Sequence, residues 1–244
     1  MQRGALCLLV ILAAAFTAPG AAVAQELSIN FGTEGSLAGR SVQLIALITV
    51  LSLVPGLAIM LTCFPFIVTV LAILRQAIGL QQSPPNMLIV SLALFLTYFV
   101  MEPTFTEAWQ GGIVPLMEND IQPEEAFRRS LAPFRDFMAA RTEDDTLDAL
   151  QSLRPEAVPA PASEAPLSLL VPSFLLSEIS RAFEIGFLIY LPFLIIDLVV
   201  AAVLMSMGMM MVPPAVVSMP FKLAFFVVAD GWTLISEALV RGYF

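Results

Sequence analysis

Two residues of opposite charge, Asp197 and Lys222, lie within the apolar C-terminal part of the chain. The point midway between them falls inside a cluster of methionines, so a hairpin turning there would bring the charges level on opposite arms. An unpaired charge is costly in an apolar setting, and buried ionisable groups usually pair. We interpret them as a neutralising pair that fixes the register of the hairpin. A proton relay is the alternative, and a turn at Pro213-Pro214 would disfavour direct pairing.

The methionine cluster between these charges places five methionines within seven residues. Methionine is unbranched and polarizable, and it repacks around irregular shapes without demanding one geometry. Copies of the cluster arranged in a ring could form a deformable seal that yields to a passing chain and then closes. The alternative is that the methionines only fill an apolar helix. The cluster consists of Met205, Met207, Met209, Met210 and Met211.

Three further charged residues, Glu178, Arg181 and Glu184, recur at every third position near the start of the same region. Within one helix such residues form pairs that contribute roughly a few tenths of a kcal/mol each. They could instead pair between copies of the chain in a ring. The spacing leaves both interpretations open.

The composition gives little support to catalysis. The chain has no histidine, which removes His-based acid–base catalysis, His metal ligation and the usual nucleophilic triads. Its two cysteines are Cys7, near the start of the chain, and Cys63, alone in an apolar run, where a thiol usually behaves as a small hydrophobe. We predict that the chain is not an enzyme and binds no metal and no cofactor.

The composition indicates a membrane protein or a hydrophobic assembly. Of the 244 residues, 59% are apolar and 13% are charged, against about half and about a quarter in an average soluble domain. Residues 1–24 have the positive start, the short apolar stretch and the Ala-x-Ala site of a signal peptide, which predicts cleavage after Ala24. Residues 25–40 would then form an N-terminal periplasmic segment.

Two apolar regions, residues 41–101 and 173–244, are predicted to form hydrophobic helical hairpins, the second with the methionine cluster at its apex. They are poor membrane spans, because residues 41–74 are too many for one span, residues 86–101 are too few, and prolines interrupt both regions. Broken helices and buried charges are tolerated where protein or water surrounds them. We therefore expect the hairpins to pack mostly against other subunits. The helix of the second hairpin is expected to begin after Pro172-Ser173.

Residues 102–172 are predicted to form a small acidic helical domain that ends in a loose Pro- and Ala-rich linker. Residues 102–166 hold 13 acidic and 5 basic residues, a net of −8 in a chain of net −9. A helix is predicted to start at Gln122-Pro123 and could kink or break at Pro133. Its apolar stripe either packs within the domain or contacts another subunit. The stripe consists of Phe127, Leu131, Phe134 and Met138.

The basic residues predict an orientation in the membrane. Arg75 lies near the predicted turn of the first hairpin, and Lys222 lies just past the turn of the second. Positive residues prefer the cytoplasmic side. The acidic domain and the C-terminal end of the chain would then face the periplasm.

Two long stretches resemble the signatures of the FliP family of type III secretion proteins. The first is the stretch MLTCFPFIVTVLAILRQAIGLQQSPPNM at residues 60–87. The second begins with FLIID at residues 193–197 and MSMGMMM at residues 205–211, and it ends with the three motifs Pro213-Pro214, Pro220-Phe221-Lys222 and Asp230-Gly231-Trp232. With the predicted signal peptide, the resemblance covers most of the chain.

The resemblance implies a subunit of the bacterial flagellar protein export gate. In that family, copies form a ring, a pentamer, which FliQ and FliR complete at the inner membrane within the flagellar basal body. Met209, Met210 and Met211 would be the gasket that narrows the pore, with Met205 and Met207 nearby. Unfolded flagellar proteins would be the substrates, other export-apparatus and basal-body proteins would be partners, and nucleic acid would not be bound.

These observations together predict an all-α chain of membrane-associated helical hairpins with a small acidic periplasmic helical domain, assembling into a ring. The methionine run and the signal peptide favour the flagellar branch of the family. A virulence injectisome homologue is the near alternative. A proton-coupled transporter that uses Asp197 and Lys222 is a more distant one.

Overall fold

The computed structural model of the chain describes residues 37–80, 83–154, 160–209 and 211–244. The predicted signal peptide, the first part of the predicted segment 25–40, and Met210 lie outside these ranges. Within them all regular structure is helical, which confirms the all-α prediction. The helices are α1 (Leu37–Met60), α2 (Phe64–Ile78), α3 (Asn86–Ala108), a π-helix (Trp109–Ile113), α4 (Val114–Met117), α5 (Pro123–Arg141), α6 (Asp144–Ser152), α7 (Leu167–Ser206), α8 (Pro214–Val228) and α9 (Gly231–Arg241).

The chain divides into two units, Met1–Val50 and Leu51–Phe244, which are described separately. The described part of the first unit is residues 37–50 of α1. The core of the second unit forms around α2, which packs against α7 and α3. A Cβ at Gly186 of α7 would lie 2.4 Å from the Cδ1 atom of Ile73, so glycine permits the close approach of α2 and α7. The buried residues of α2 recur at helical spacing and include Ile67, Val70, Leu71, Leu74 and Ile78.

The acidic region is a set of helices of 4 to 19 residues that continues directly from α3. Helix α3 extends to Ala108, beyond the predicted end of the first hairpin at residue 101, and passes through Pro103. Helix α5 starts at Pro123, as predicted, and runs without a break through Pro133 to Arg141. The π-helix lies against α5 because Gly112 has no side chain there, and a Cβ would lie 1.9 Å from the Oγ atom of Ser130.

The second half of the predicted linker is held in place rather than loose. Gln151 Nε2 donates to the Ala160 carbonyl oxygen at 2.7 Å, and Arg135 Nη1 donates to that of Ala165 at 2.7 Å. Ala165 is buried in a cluster with Met138 and with residues of α7. The five residues 155–159 of the linker lie outside the described ranges.

Helix α7 begins at Leu167 and not, as predicted, after Pro172-Ser173. Proline lacks the N–H that would bond the carbonyl oxygen of Ser168, four residues earlier. Arg154 lies beside that turn: its Nη1 donates to Ser168 Oγ at 3.1 Å, and its Nη2 lies 3.5 Å from the Ser168 carbonyl oxygen. Arg154, two residues beyond the end of α6, thus lies near the carbonyl oxygen that Pro172 leaves without its helical partner, and α7 runs through this proline.

Two helical stretches of the described residues are long and apolar enough to cross a membrane, Asn86–Met117 and Leu167–Ser206. The number rises to four if two bent pairs, Leu44–Met60 with Phe64–Ile78 and Pro214–Val228 with Gly231–Arg241, each form one span. The second pair bends by 62°. At that bend Asp230 adopts a left-handed conformation with φ 49°, and a Cβ on Gly231 would collide with the ring of Phe226.

Candidate functional site

The described methionines of the cluster, Met205, Met207, Met209 and Met211, lie at the apex of the second hairpin. Helix α7 ends at Ser206, the chain turns through Gly208 with φ 76°, and α8 begins at Pro214. The left-handed conformation at Gly208 favours glycine because it carries no Cβ. The described methionines of the apex are all exposed in the single chain, Met211 by 96% and Met209 by 37%, with Met205 and Met207 between these values.

Asp197 and Lys222 lie opposite each other on the two arms of this hairpin. Lys222 Nζ is 2.6 Å from Asp197 Oδ2, and the Oγ of Ser218 donates to Asp197 Oδ1 at 2.5 Å. Lys222 is 5% exposed and Ser218 is fully buried. The pair joins α7 to α8 about three turns below the apex, counted from the helix rise. Such a contact fixes the register of the arms, because a shift by one residue would separate the two charges.

Lys222 also connects the hairpin to α2. Its Nζ donates to the carbonyl oxygen of Ala77 at 3.1 Å. Ala77 lies in the last turn of α2, where carbonyl groups lack helical partners and the helix dipole attracts a cation. A single ammonium group therefore ties together α2, α7 and α8.

An apolar groove of about 570 Å³ runs between the arms near the apex. Its walls carry no polar side chain, and two of the apex methionines, Met207 and Met209, border it. Val199, Val203 and Phe221 are exposed along the arms. The hairpin thus presents an apolar surface that reaches from the charge pair to the methionine apex.

A second buried charge cluster, at the other end of α7, was missed by the sequence analysis. Glu178 is fully buried, and its carboxylate accepts from Arg141 Nε at 3.1 Å and from the Tyr243 hydroxyl at 2.6 Å. Arg141 Nη1 also donates to the Gly242 carbonyl oxygen at 3.0 Å. The cluster joins the end of α5, the start of α7 and the residues that follow α9.

Tyr243 holds its place in this cluster by its ring as well as by its hydroxyl. The Arg141 guanidinium carbon lies 4.1 Å from the ring centroid, a cation–π distance. Phe66 meets the ring edge-on at 5.6 Å, and Phe137 stacks on it at 6.1 Å. Burial raises the pKa of Tyr243 above its usual range, and the negative charge of Glu178 raises it further.

The other predicted contact residues divide into buried and exposed groups. Within the stripe of α5, Met138 is buried, Phe134 meets Phe105 edge-on at 5.6 Å, and Leu131 is half-buried. Phe127 is 69% exposed. Arg181 and Glu184 are exposed on α7, one turn apart from each other, whereas Glu178 is enclosed within the chain.

One signal in the sequence could have identified the partner of Glu178. The stripe of α5 follows spacings of three and four residues up to Met138, and the next position in that series is Arg141. A cation at the end of an apolar stripe faces the same core as the stripe, so it can meet a buried acid. Nothing local indicates Tyr243, because it lies 65 residues from Glu178.

Among the described residues there is no group of three or more Cys, Asp or Glu side chains placed to hold a metal ion. Cys63 is fully buried, with no disulfide partner in the described ranges.

Comparison with known proteins agrees with the resemblance of the signatures. The profile of the FliP family matches residues 47–239. The flagellar biosynthetic protein FliP of Caulobacter vibrioides is 49% identical over 244 residues, which covers 100% of this chain and 92% of the relative. That of Bacillus subtilis is 45% identical over 203 residues, 83% of this chain and 92% of the relative. The predicted resemblance is confirmed, and the chain belongs to the FliP family, whose named relatives are flagellar biosynthetic proteins.

Proposed function

We propose that this chain is a subunit of the flagellar type III protein export gate. Copies of it, completed by FliQ and FliR, form the pore through which unfolded flagellar proteins cross the inner membrane. The observation that carries the proposal is the exposed methionine apex, which lies on a hairpin whose arms are joined by the Asp197–Lys222 pair. A seal around a moving chain needs side chains that can repack, such as the apex methionines, on helices whose relative position is fixed.

In the isolated chain, many large apolar side chains of the second hairpin are exposed. Large contiguous apolar surfaces mark interfaces with protein or membrane. The arms of the second hairpin and the apex methionines expose such a surface, and the groove between the arms has no polar lining. Copies packed around an axis would cover the arms and bring the apices together. In that ring, Met209, Met210 and Met211 form the gasket, and Met205 and Met207 border it.

The exposed charged and aromatic residues are the proposed contacts between neighbouring copies. Arg181 and Glu184 lie on α7 with opposite charges, so one copy offers a cation where the next offers a carboxylate. Phe127 on α5 offers an exposed ring in the acidic region. Glu178 supports this surface from within the chain, since it holds the start of α7 to α5.

The proposed placement puts the apex end of the molecule toward the cytoplasm and the acidic domain in the periplasm. Arg75 and Lys222 border one cavity, so the two basic residues near the predicted turns lie at the same end. Glu178 and Asp197 are 19 positions apart on α7, a rise of about 29 Å, close to the roughly 30 Å of a bilayer core. The distance between the two charge clusters along α7 is therefore close to the thickness of the hydrocarbon core of a membrane.

The seal is tested by replacing the gasket with alanine. Cells whose complete gate carries M209A, M210A and M211A should lose membrane potential, because alanine leaves the pore open to small ions. A potential-sensitive dye measures the loss. The matched control is M117A, an exposed methionine of α4, which should leave the potential at the parent level. If the triple variant holds its potential as well as the control, the gasket role is wrong.

A further inference from the structure

A cavity of about 800 Å³ opens between α2, α7 and α8, outside the methionine apex and the Glu178 cluster. Asp197 and Lys222 border it, and so do Arg75 and Gln76 at the end of α2. Along α7 its lining extends from Asp197 back to Phe183, a rise of about 21 Å. The cavity thus extends along the length of the helices.

The charges of the cavity gather at one end. Arg75 and Lys222 supply two cations against the single carboxylate of Asp197, a local excess of positive charge in a chain of net charge −9. Away from this end the lining is mainly apolar and carries no charge, with Val68, Ile73 and Phe183 beside the hydroxyl-bearing Thr69 and Tyr190. A ligand that fits both ends has an anionic head and a hydrocarbon body.

Arg75 and Lys222 both have N–H groups that remain available to bind an anionic head group. Lys222 Nζ has three N–H groups and uses two, toward Asp197 and the Ala77 carbonyl. Arg75 has five N–H donors, and in the part of the chain that the structure describes its contacts, to Pro84 and Asn86, run through Nη1. The Nε and Nη2 groups of Arg75 can therefore bind oxygen atoms of a phosphate in the fork geometry that guanidinium favours.

We infer that this cavity binds an anionic phospholipid, with its phosphate against Arg75 and Lys222 and an acyl chain along Ile73 and Phe183. Basic pockets between membrane helices on the cytoplasmic side are suited to anionic lipid heads. The inference rests on the membrane placement proposed above. Free phosphate would satisfy the charged end alone and would leave the apolar length of the cavity unused.

The test is native mass spectrometry of the purified mature chain after exchange into mixed micelles of a mild detergent with phosphatidylglycerol and phosphatidylcholine. We expect the parent to retain phosphatidylglycerol selectively and R75Q to lower its apparent affinity about tenfold, the loss of one charged contact. R75K should recover part of the binding. The control R128Q, at an exposed arginine of α5, should bind as the parent does. Equal retention by R75Q and the parent would overturn the assignment.

Two further experiments distinguish the alternative occupants of the cavity. Glycerol 1-phosphate, the lipid head without acyl chains, should not displace the lipid at millimolar concentration. If it does, the site binds phosphate and not lipid. The same spectra resolve monomer and ring, so ring formation is scored independently of lipid binding. If rings form without lipid while monomers keep it, a second copy fills the cavity in the assembly and the inference is wrong, although the proposed function stands.

Discussion

Helix α7 carries two ion-paired carboxylates that are held in different ways. Asp197 takes both of its side-chain partners, Ser218 and Lys222, from the next helix of the same hairpin, 21 and 25 residues away. Glu178 takes its partners from two separate parts of the chain, Arg141 and Tyr243, 37 and 65 residues away. The first cluster fixes the shape of one hairpin, whereas the second fixes the acidic region and the end of the chain to the hairpin.

The two clusters also differ in exposure. The side chain of Asp197 is 29% exposed and borders an open cavity, whereas that of Glu178 has no exposure. Removing one partner of a fully buried pair leaves an uncompensated charge in a low dielectric, which costs more than a change beside water. We therefore expect the Glu178 cluster to dominate stability and the Asp197 cluster to dominate the geometry of the apex.

The largest expected effect is that of R141M. It keeps much of the side-chain volume but leaves the Glu178 carboxylate buried without its cation, so it should lower the free energy of unfolding by about 3–5 kcal/mol. Denaturant unfolding of the mature chain in mild detergent measures the change. The control R128M removes an exposed arginine of the same helix and should unfold with the parent. Equal midpoints for both variants would remove the proposed difference between the clusters.

An intermediate effect is expected from D197N. The change weakens the contact with Lys222, although Lys222 keeps the Ala77 carbonyl, so the loss should be about 1.5–3 kcal/mol. Adding K222Q should recover part of the loss and part of the assembly that D197N impairs, because no unpaired charge then remains. A double-mutant cycle measures the coupling. Strictly additive losses would argue against direct pairing.

A smaller effect is expected from Y243F, which removes one hydrogen bond to Glu178 and keeps the ring contacts. The expected loss is about 1.5 kcal/mol at neutral pH. The pKa of Tyr243 is raised in the folded chain, whereas the unfolded tyrosine ionises near pH 10. The stabilisation is therefore complete below about pH 10 and is lost as the pH rises further toward the folded pKa.

Unfolding titrations of the parent and Y243F between pH 7 and pH 11 test this linkage. The parent should lose stability above about pH 10 more steeply than the variant. Parallel curves would show that Tyr243 is not the group that titrates.

The smallest effect is expected from E125Q, at the exposed start of α5. Arg129 and Arg128 lower the pKa of Glu125 below its usual value. A lowered pKa gives a stabilisation that is present at neutral pH and is lost as the pH falls through the folded pKa. Because these side chains are solvated, the unfolding midpoint of E125Q should match that of the parent at pH 7. A large shift would mean that exposed pairs matter here as much as buried ones.

The contrast between the clusters explains how much the sequence could predict. The Asp197–Lys222 contact could be predicted from hairpin symmetry, since two charges equidistant from a turn lie level on its two arms and opposite charges in an apolar setting usually pair. The helical class and the start of α5 follow from apolar blocks and proline placement. These are local patterns that need no knowledge of long-range packing.

What could not be predicted depends on contacts between distant segments. Glu178 looked like one member of a charged triplet on a helix surface, because spacing alone does not show which face of α7 turns inward. The early start of α7 was missed because a proline inside a helix cannot be told from a proline at its start by sequence alone, and α7 runs through Pro172. The docking of residues 160–166 depends likewise on Arg135 and Gln151.

The central claim, that the chain is a ring-forming subunit of the export gate, is tested most directly by native mass spectrometry. The mature chain would be extracted in mild detergent with and without co-expressed FliQ and FliR. The account predicts a ring of defined copy number that takes up both partners. A stable monomer that ignores them would contradict it, and Asp197 would then become the first residue to test for proton-coupled transport.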